Sequence, residues 1–177
     1  MAEVKNQTET RRTVDMGREQ SQYDHHVLDV ARVVRVVKGG RRFRFRASVV
    51  VGNHNGKVGF GTGKSRDVQS AIQKAQAQAE KGVISLNLDG STIPFKVVQK
   101  YKGAQVQLRP ARPGTGVIAG DVVRTVADMA GIQDLVSKVY GSPNKMTNVM
   151  ATIRALQSFS VSPGDRKTEK SGDKKES

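Results

Sequence analysis

The chain has 177 residues, 30 Lys and Arg against 16 Asp and Glu, a formal charge of +14 and a hydrophobic fraction of 36%. That apolar content suffices for a folded core and excludes wholesale disorder, while no apolar run nears the roughly 18 residues of a membrane-spanning helix, so a soluble protein is expected. With no cysteine there is no disulfide framework, thiolate metal site or Cys nucleophile, and the acid-bearing, apolar-poor N-terminus predicts neither a secretory signal nor a transit peptide.

Residues 1–28 hold four basic and five acidic side chains and residues 160–177 hold five and four, so both ends are nearly neutral and are expected to be mobile extensions. The folded part then opens with the β-branched run Val30, Val33, Val34, Val36 and Val37, a strand ending at the turn Lys38-Gly39-Gly40. From Arg41 to Val51, Arg42, Arg44 and Arg46 alternate with Phe43, Phe45 and Ala47, which predicts a strand with an exposed cationic face and a buried aromatic one. Gly52 to Gly56 makes a hairpin loop, and a third strand, Lys57 to Lys64, alternates Val58, Phe60 and Thr62 with Gly59, Gly61 and Gly63. Its glycine face has no side chains and is expected to let RNA backbone or a protein surface approach closely.

Asp67 is placed to cap a helix whose Val68, Ala71, Ile72, Ala75 and Ala79 share one face, with Gly82 as its stop. A short apolar segment, Val83 to Leu88, leads to the boundary Asp89-Gly90-Ser91. Residues 29–91 thus predict a first domain of three antiparallel strands on a helix. In residues 92–159, a hairpin (Phe95 to Tyr101, Ala104 to Leu108) precedes a loop from Arg109 to Gly120. A helix starting at Asp121, a strand from Ile132 to Tyr140 and a helix from Asn144 follow, a β-β-α-β-α sandwich. The fold class is α+β in two small domains, each expected to lean on its neighbour or a bound partner for stability.

From Val30 to Arg66 there are ten basic residues and no acid, which points to a polyanion partner rather than an ordinary surface of mixed charge. Catalysis finds no support. Gly59 to Ser65 lacks the glycine five residues before Gly63 that a phosphate loop needs, since Val58 stands there. Gly114-Thr115-Gly116-Val117-Ile118-Ala119 fits a dinucleotide pattern, with Asp134 some 20 residues on, but no tight strand-to-helix turn precedes it. His25, His26 and His54 sit on no rigid frame for a metal, and no carboxylate pair is set for acid–base work. No cofactor is expected.

The motifs Val37-Lys38-Gly39-Gly40-Arg41-Arg42-Phe43, Val50-Val51-Gly52-Asn53, Asn55-Gly56-Lys57-Val58-Gly59-Phe60-Gly61 and Ala71-Ile72-Gln73-Lys74-Ala75 resemble the signature of the family of the fifth protein of the bacterial small ribosomal subunit. So do Leu108-Arg109-Pro110-Ala111, Gly114 to Gly120, Arg124 and Ala151-Thr152-Ile153, in the same order. The resemblance implies a first domain related to double-stranded-RNA-binding folds and a second of β-α sandwich type. It further implies a place near the decoding region and messenger entrance, support of decoding accuracy, and an influence on spectinomycin sensitivity through Val37 to Arg42.

The partners implied are 16S ribosomal RNA, messenger RNA nearby, and neighbouring small-subunit proteins, chiefly the fourth and secondarily the eighth, with no membrane. The location implied is the small subunit in the cytoplasm, an organellar ribosome being compatible. The candidate RNA contacts are Lys38, Arg41, Arg42, Arg44, Arg46, Asn53, His54, Asn55, Lys57, Lys64 and Arg66; the candidate protein contacts are Arg109, Arg112, Gly114 and Arg124. Arg112-Pro113, Asp121 and Met150 depart from what the family pattern leads one to expect. A stand-alone double-stranded-RNA-binding regulator shares the charge pattern and first domain, and a small-molecule kinase shares the second-domain fold but needs loop serines that Gly114 to Gly120 lacks.

Overall fold

A computed structural model describes residues 23–160. Val49, Val50 and Val51 are all fully buried, and since successive strand residues point to opposite faces, such a run requires a sheet covered on both sides. The covered sheet has the antiparallel order β1-β2-β3-β4, with β1 at Asp24–Val37, β2 at Gly40–Gly52, β3 at Lys57–Ser65 and β4 at Ile84–Ser85. On one face Ala47, Val49 and Val51 pack against Ala71, Ala75 and Ala79 of helix α1, Val68–Lys81, which the Asp67 carboxylate caps by accepting from Ser70 N–H.

Two expectations change here. The first strand begins at Asp24, so residues 24–28 belong to the sheet and not to an N-terminal extension; residues 1–22 and 161–177 lie outside the described part. Val27 packs on the α1 side and Leu28 in the larger core, as strand alternation requires, but the register slips between Val27 and Asp29 and leaves Leu28 as an extra residue. A broken period of two hid the strand. The segment after α1 also supplies a short fourth strand, because Ile84 and Ser85 pair with Val58 and Lys57.

The glycine face of β3 is occupied from within. A Cβ at Gly59, Gly61 or Gly63 would collide with the backbone of Ala79, Ala75 or Ala71 respectively, so the close surface that these glycines admit is α1, not RNA or another protein. Alanines on the helix and glycines on the strand bring the two backbones together.

The other face of this sheet is closed by the second unit, whose strands β5 (Val97–Tyr101), β6 (Ala104–Pro110), β7 (Val117–Ile118) and β8 (Leu135–Gly141) are joined by helices α2 (Asp121–Ala130) and α3 (Lys145–Ser160). Its order is β5-β6-β8-β7, with β7 parallel to β8 and the other pairs antiparallel. The two-residue β7 adds a strand to the expected pattern, and β6 runs on to Pro110, shortening the loop. Val50 and Val58 of the first sheet join Val122, Val126, Ile153 and Leu156 in one core. Each such side chain contributes at most about 1.5–3 kcal/mol, and the sharing compensates for two domains too small to bury much alone. Asp121 pairs with Lys145 at 3.5 Å, so this departure from the family pattern ties the first turns of α2 and α3 together.

Candidate nucleic-acid interface

The β2–β3 register ends at Phe45 opposite Ser65, so beyond Phe45 the β1–β2 hairpin continues with no third strand beside it. Phe45 is half-buried against the α1 core, but Phe43 is 43% exposed, as are Val34 (49%) and Val36 (74%). The expected buried aromatic face therefore holds for Phe45 and fails for Phe43. Phe43 instead carries the Arg32 guanidinium stacked 3.7 Å from its ring centroid.

On the opposite face, strand pairing sets like charges against each other. Arg35 lies directly across from Arg42, and Arg46 directly across from Lys64, with Arg44 between the two pairs. Directly opposed like charges destabilise a sheet by roughly 0.2–1 kcal/mol each. Arg35, Arg42, Arg44 and Lys64 line a concavity of about 430 Å³ with Val33 and Val37. Asp121 is taken up by Lys145 and Asp24 lies against His54 Nε2, and neither carboxylate neutralises this cluster. Arg46 Nε is buried without a hydrogen-bond partner.

Of the residues expected to touch RNA, Arg42, Arg44, Arg46 and Lys64 are gathered here, Lys38 and Arg41 sit exposed at the hairpin tip, and Arg66 follows the end of β3. Arg35 belongs with them, while Arg32 lies on the opposite face, over Phe43. The sequence signal for Arg35 is its place opposite Arg42 across the turn at Lys38-Gly39, masked by the valines around it.

Asn53, His54, Asn55 and Lys57 are elsewhere. Lys57 begins β3, seven residues from Lys64, or about 23 Å along a strand. Asn53 turns its carboxamide oxygen inward to accept from the Asn55 and Lys57 amides. The loop then caps the C-terminus of α2: His54 N–H donates to the Met129 carbonyl (3.1 Å), Gly56 N–H to that of Ala130 (2.8 Å), and His54 Nδ1 to that of Asp128 (2.7 Å). These are among the carbonyls that a helix end leaves without partners. His54 and Gly56 thus join the two units, and Asn53 shapes the loop that does so. Gly52 and Gly131 permit the contact, since a Cβ on either would strike the backbone of Met129 or of His54.

In the second unit, Arg112 and Gly114 lie exposed in the loop and Arg124 lies on α2, where Nη2 donates to the Val117 carbonyl at 3.4 Å. Arg109 projects from β6 on the sheet face away from the helices, so the structure does not gather all four. Asp134, the acidic residue of the dinucleotide-like pattern, has a structural role. It is 4% exposed, and its carboxylate accepts from Ser91 Oγ (2.7 Å) and Gly116 N–H (2.9 Å). The Ser91 hydroxyl, then the amides of Gly116, Gly114 and Thr115, hold its carboxyl below the ordinary carboxylate range, against the opposing effect of burial. An anion from the chain itself fills the cradle that a dinucleotide phosphate would need, which disposes of the nucleotide pattern.

Two family models match the chain, both describing domains of a ribosomal protein, and they meet the two structural units in order. Residues 23–87 match "Ribosomal protein S5, N-terminal domain" and residues 99–162 match "Ribosomal protein S5, C-terminal domain". The chain belongs to the ribosomal protein S5 family, and with it to the structural proteins of the small ribosomal subunit, assembled with ribosomal RNA and other ribosomal proteins in a cytoplasmic or organellar ribosome. No helix among the described residues is long and apolar enough to cross a membrane.

Proposed function

We propose that the protein binds 16S ribosomal RNA through the β1–β2 hairpin and so supports decoding accuracy near the messenger entrance of a cytoplasmic small subunit. The observation that carries this is the pair of directly opposed like charges, Arg35 with Arg42 and Arg46 with Lys64. A protein that sets cations against one another on an exposed face, without a described carboxylate to pair them, is built for an external polyanion. A phosphate backbone supplies the missing charge, and Lys38 and Arg41 at the tip extend the contact. Arg112, Gly114 and Arg124 face neighbouring proteins, the fourth small-subunit protein first and the eighth second.

The test is a titration of the full chain against a structured 16S fragment over a range of salt. Affinity should fall steeply, by a little under one log unit per log of salt for each phosphate contacted. Arg42→Ala with Arg44→Ala should reduce that slope by nearly two while leaving melting unchanged. Binding indifferent to salt, or to this double substitution, would sink the assignment.

A further inference from the structure

The second sheet carries a cationic surface of its own. Helices α2 and α3 cover only one face, where Ala104, Val106, Leu108 and Leu135 are buried with Val149, Ile153 and Leu156. The alternate residues emerge on the other face in three cross-strand rows. The first row runs Lys100, Gln105, Tyr140; the second runs Val98, Gln107, Lys138; the third runs Arg109, Val136, Ile118. No row contains an acid. Lys96, just ahead of β5, joins the third row: once the Gln107 carboxamide is turned over, which satisfies both of its ends, its oxygen accepts from Arg109 Nη2 (3.3 Å) and Lys96 Nζ (3.1 Å). Tyr140 is 49% exposed and Val98 46%, and a hollow of about 290 Å³ opens between Gln107, Arg109, Lys138 and Tyr140.

We propose that this open face is a second RNA surface, one that takes a single-stranded or looped segment. It goes beyond the hairpin reading and rests on different residues. Four cations without an acid give charge complementarity to a phosphate chain. A half-exposed tyrosine between Gln105 and the cationic row offers a base the stacking platform that unpaired strands use, whereas a duplex would leave it idle. Neighbouring strands lie about 4.8 Å apart, so Lys100 and Tyr140, two strands away, are spaced to hold a phosphate and the base beside it. An acidic protein segment would satisfy the lysines but has no use for the ring.

The experiment uses the full chain carrying Arg42→Ala and Arg44→Ala, so that the hairpin contributes little, and a labelled 12-nucleotide oligouridylate read by fluorescence anisotropy. Adding Lys100→Ala and Lys138→Ala should weaken binding at least ten-fold and lower the log-log salt slope by about 1.4, two contacts at about 0.7 each for a single strand. Tyr140→Ala should cost several-fold, Tyr140→Phe almost nothing, and none should move the melting temperature. A photo-crosslinking phenylalanine analogue at Lys138 in assembled subunits should capture RNA, and sequencing the captured strand distinguishes ribosomal from messenger RNA. Unchanged oligouridylate affinity in the lysine variant, or capture of protein alone, overturns the proposal. Loss of structured-RNA binding on hairpin substitution is a separate outcome that bears only on the hairpin.

Discussion

Among the described residues, the first sheet is closed on both faces, by α1 on one side and by α2 and α3 on the other, whereas the second is closed on one. Their ways of presenting charge differ accordingly. The doubly covered sheet has no free face in its body, so its cations ride on a hairpin that overshoots β3 and α1, beyond Phe45. The singly covered sheet keeps its strands short and shows charge on the open face instead. Exposure of a strand residue is therefore set by what lies beside and beneath it, and the same alternation of residue types has different outcomes at the two ends of β2.

The most damaging way to break this comparison is to fill the contact between β3 and α1. Gly61→Val should cost about 3 kcal/mol or more, because the new side chain meets helix backbone and not a movable side-chain end; thermal melting should show a large drop or no folded protein. Gly39→Ala, with nothing within 4 Å of its added carbon, is the matched control and should melt like the wild type.

Next in size is the division within the hairpin. Phe45→Ala should cost roughly 1.5 kcal/mol, about half of what a fully buried phenylalanine costs, while Phe43→Ala should stay within about 0.5 kcal/mol. Equal losses of melting temperature would mean that the hairpin is covered farther out than Phe45.

Acid should separate the two units more gently. Because the Asp134 carboxyl is held below its ordinary value of 3.8, its contribution is complete above that value and is lost as pH falls through the depressed one. Stability of the wild type should therefore drop more steeply below about pH 4 than that of Asp134→Asn, measured by denaturant melts across pH. The smallest effect belongs to the open face. Val98→Thr should change stability by no more than about 0.5 kcal/mol, and a larger loss would show that the face is covered in the free protein.

The strands, helices and their order were legible wherever side chains kept a clean period, as in Arg42 to Ala47 or Val68, Ala71, Ile72, Ala75 and Ala79. The start of β1 was not, because the extra residue at Leu28 shifts the alternation by one between residues 24–27 and the rest of the strand. The glycines of β3 announced a close approach but could not say to what; the answer lay in three alanines that share a helix face some ten residues later. At the candidate interface, Arg42, Arg44, Arg46 and Lys64 followed from period two alone. The capping bonds of His54 were not legible, since nothing in a polar loop names a helix carbonyl more than 70 residues away.

The shared core also has a history in time. The first sheet is complete in sequence by Leu86, yet the face bearing Leu28, Val50 and Val58 is sealed only when α3 has arrived, at Leu156. At about 5–20 residues per second, the intervening 70 or so residues take roughly 4–14 seconds to emerge from a translating ribosome. For that interval the nascent sheet shows water an apolar face on one side and carries uncompensated arginines on its hairpin. An RNA that engages the hairpin early would thus hold the half-made protein out of solution during the seconds when its valines are uncovered.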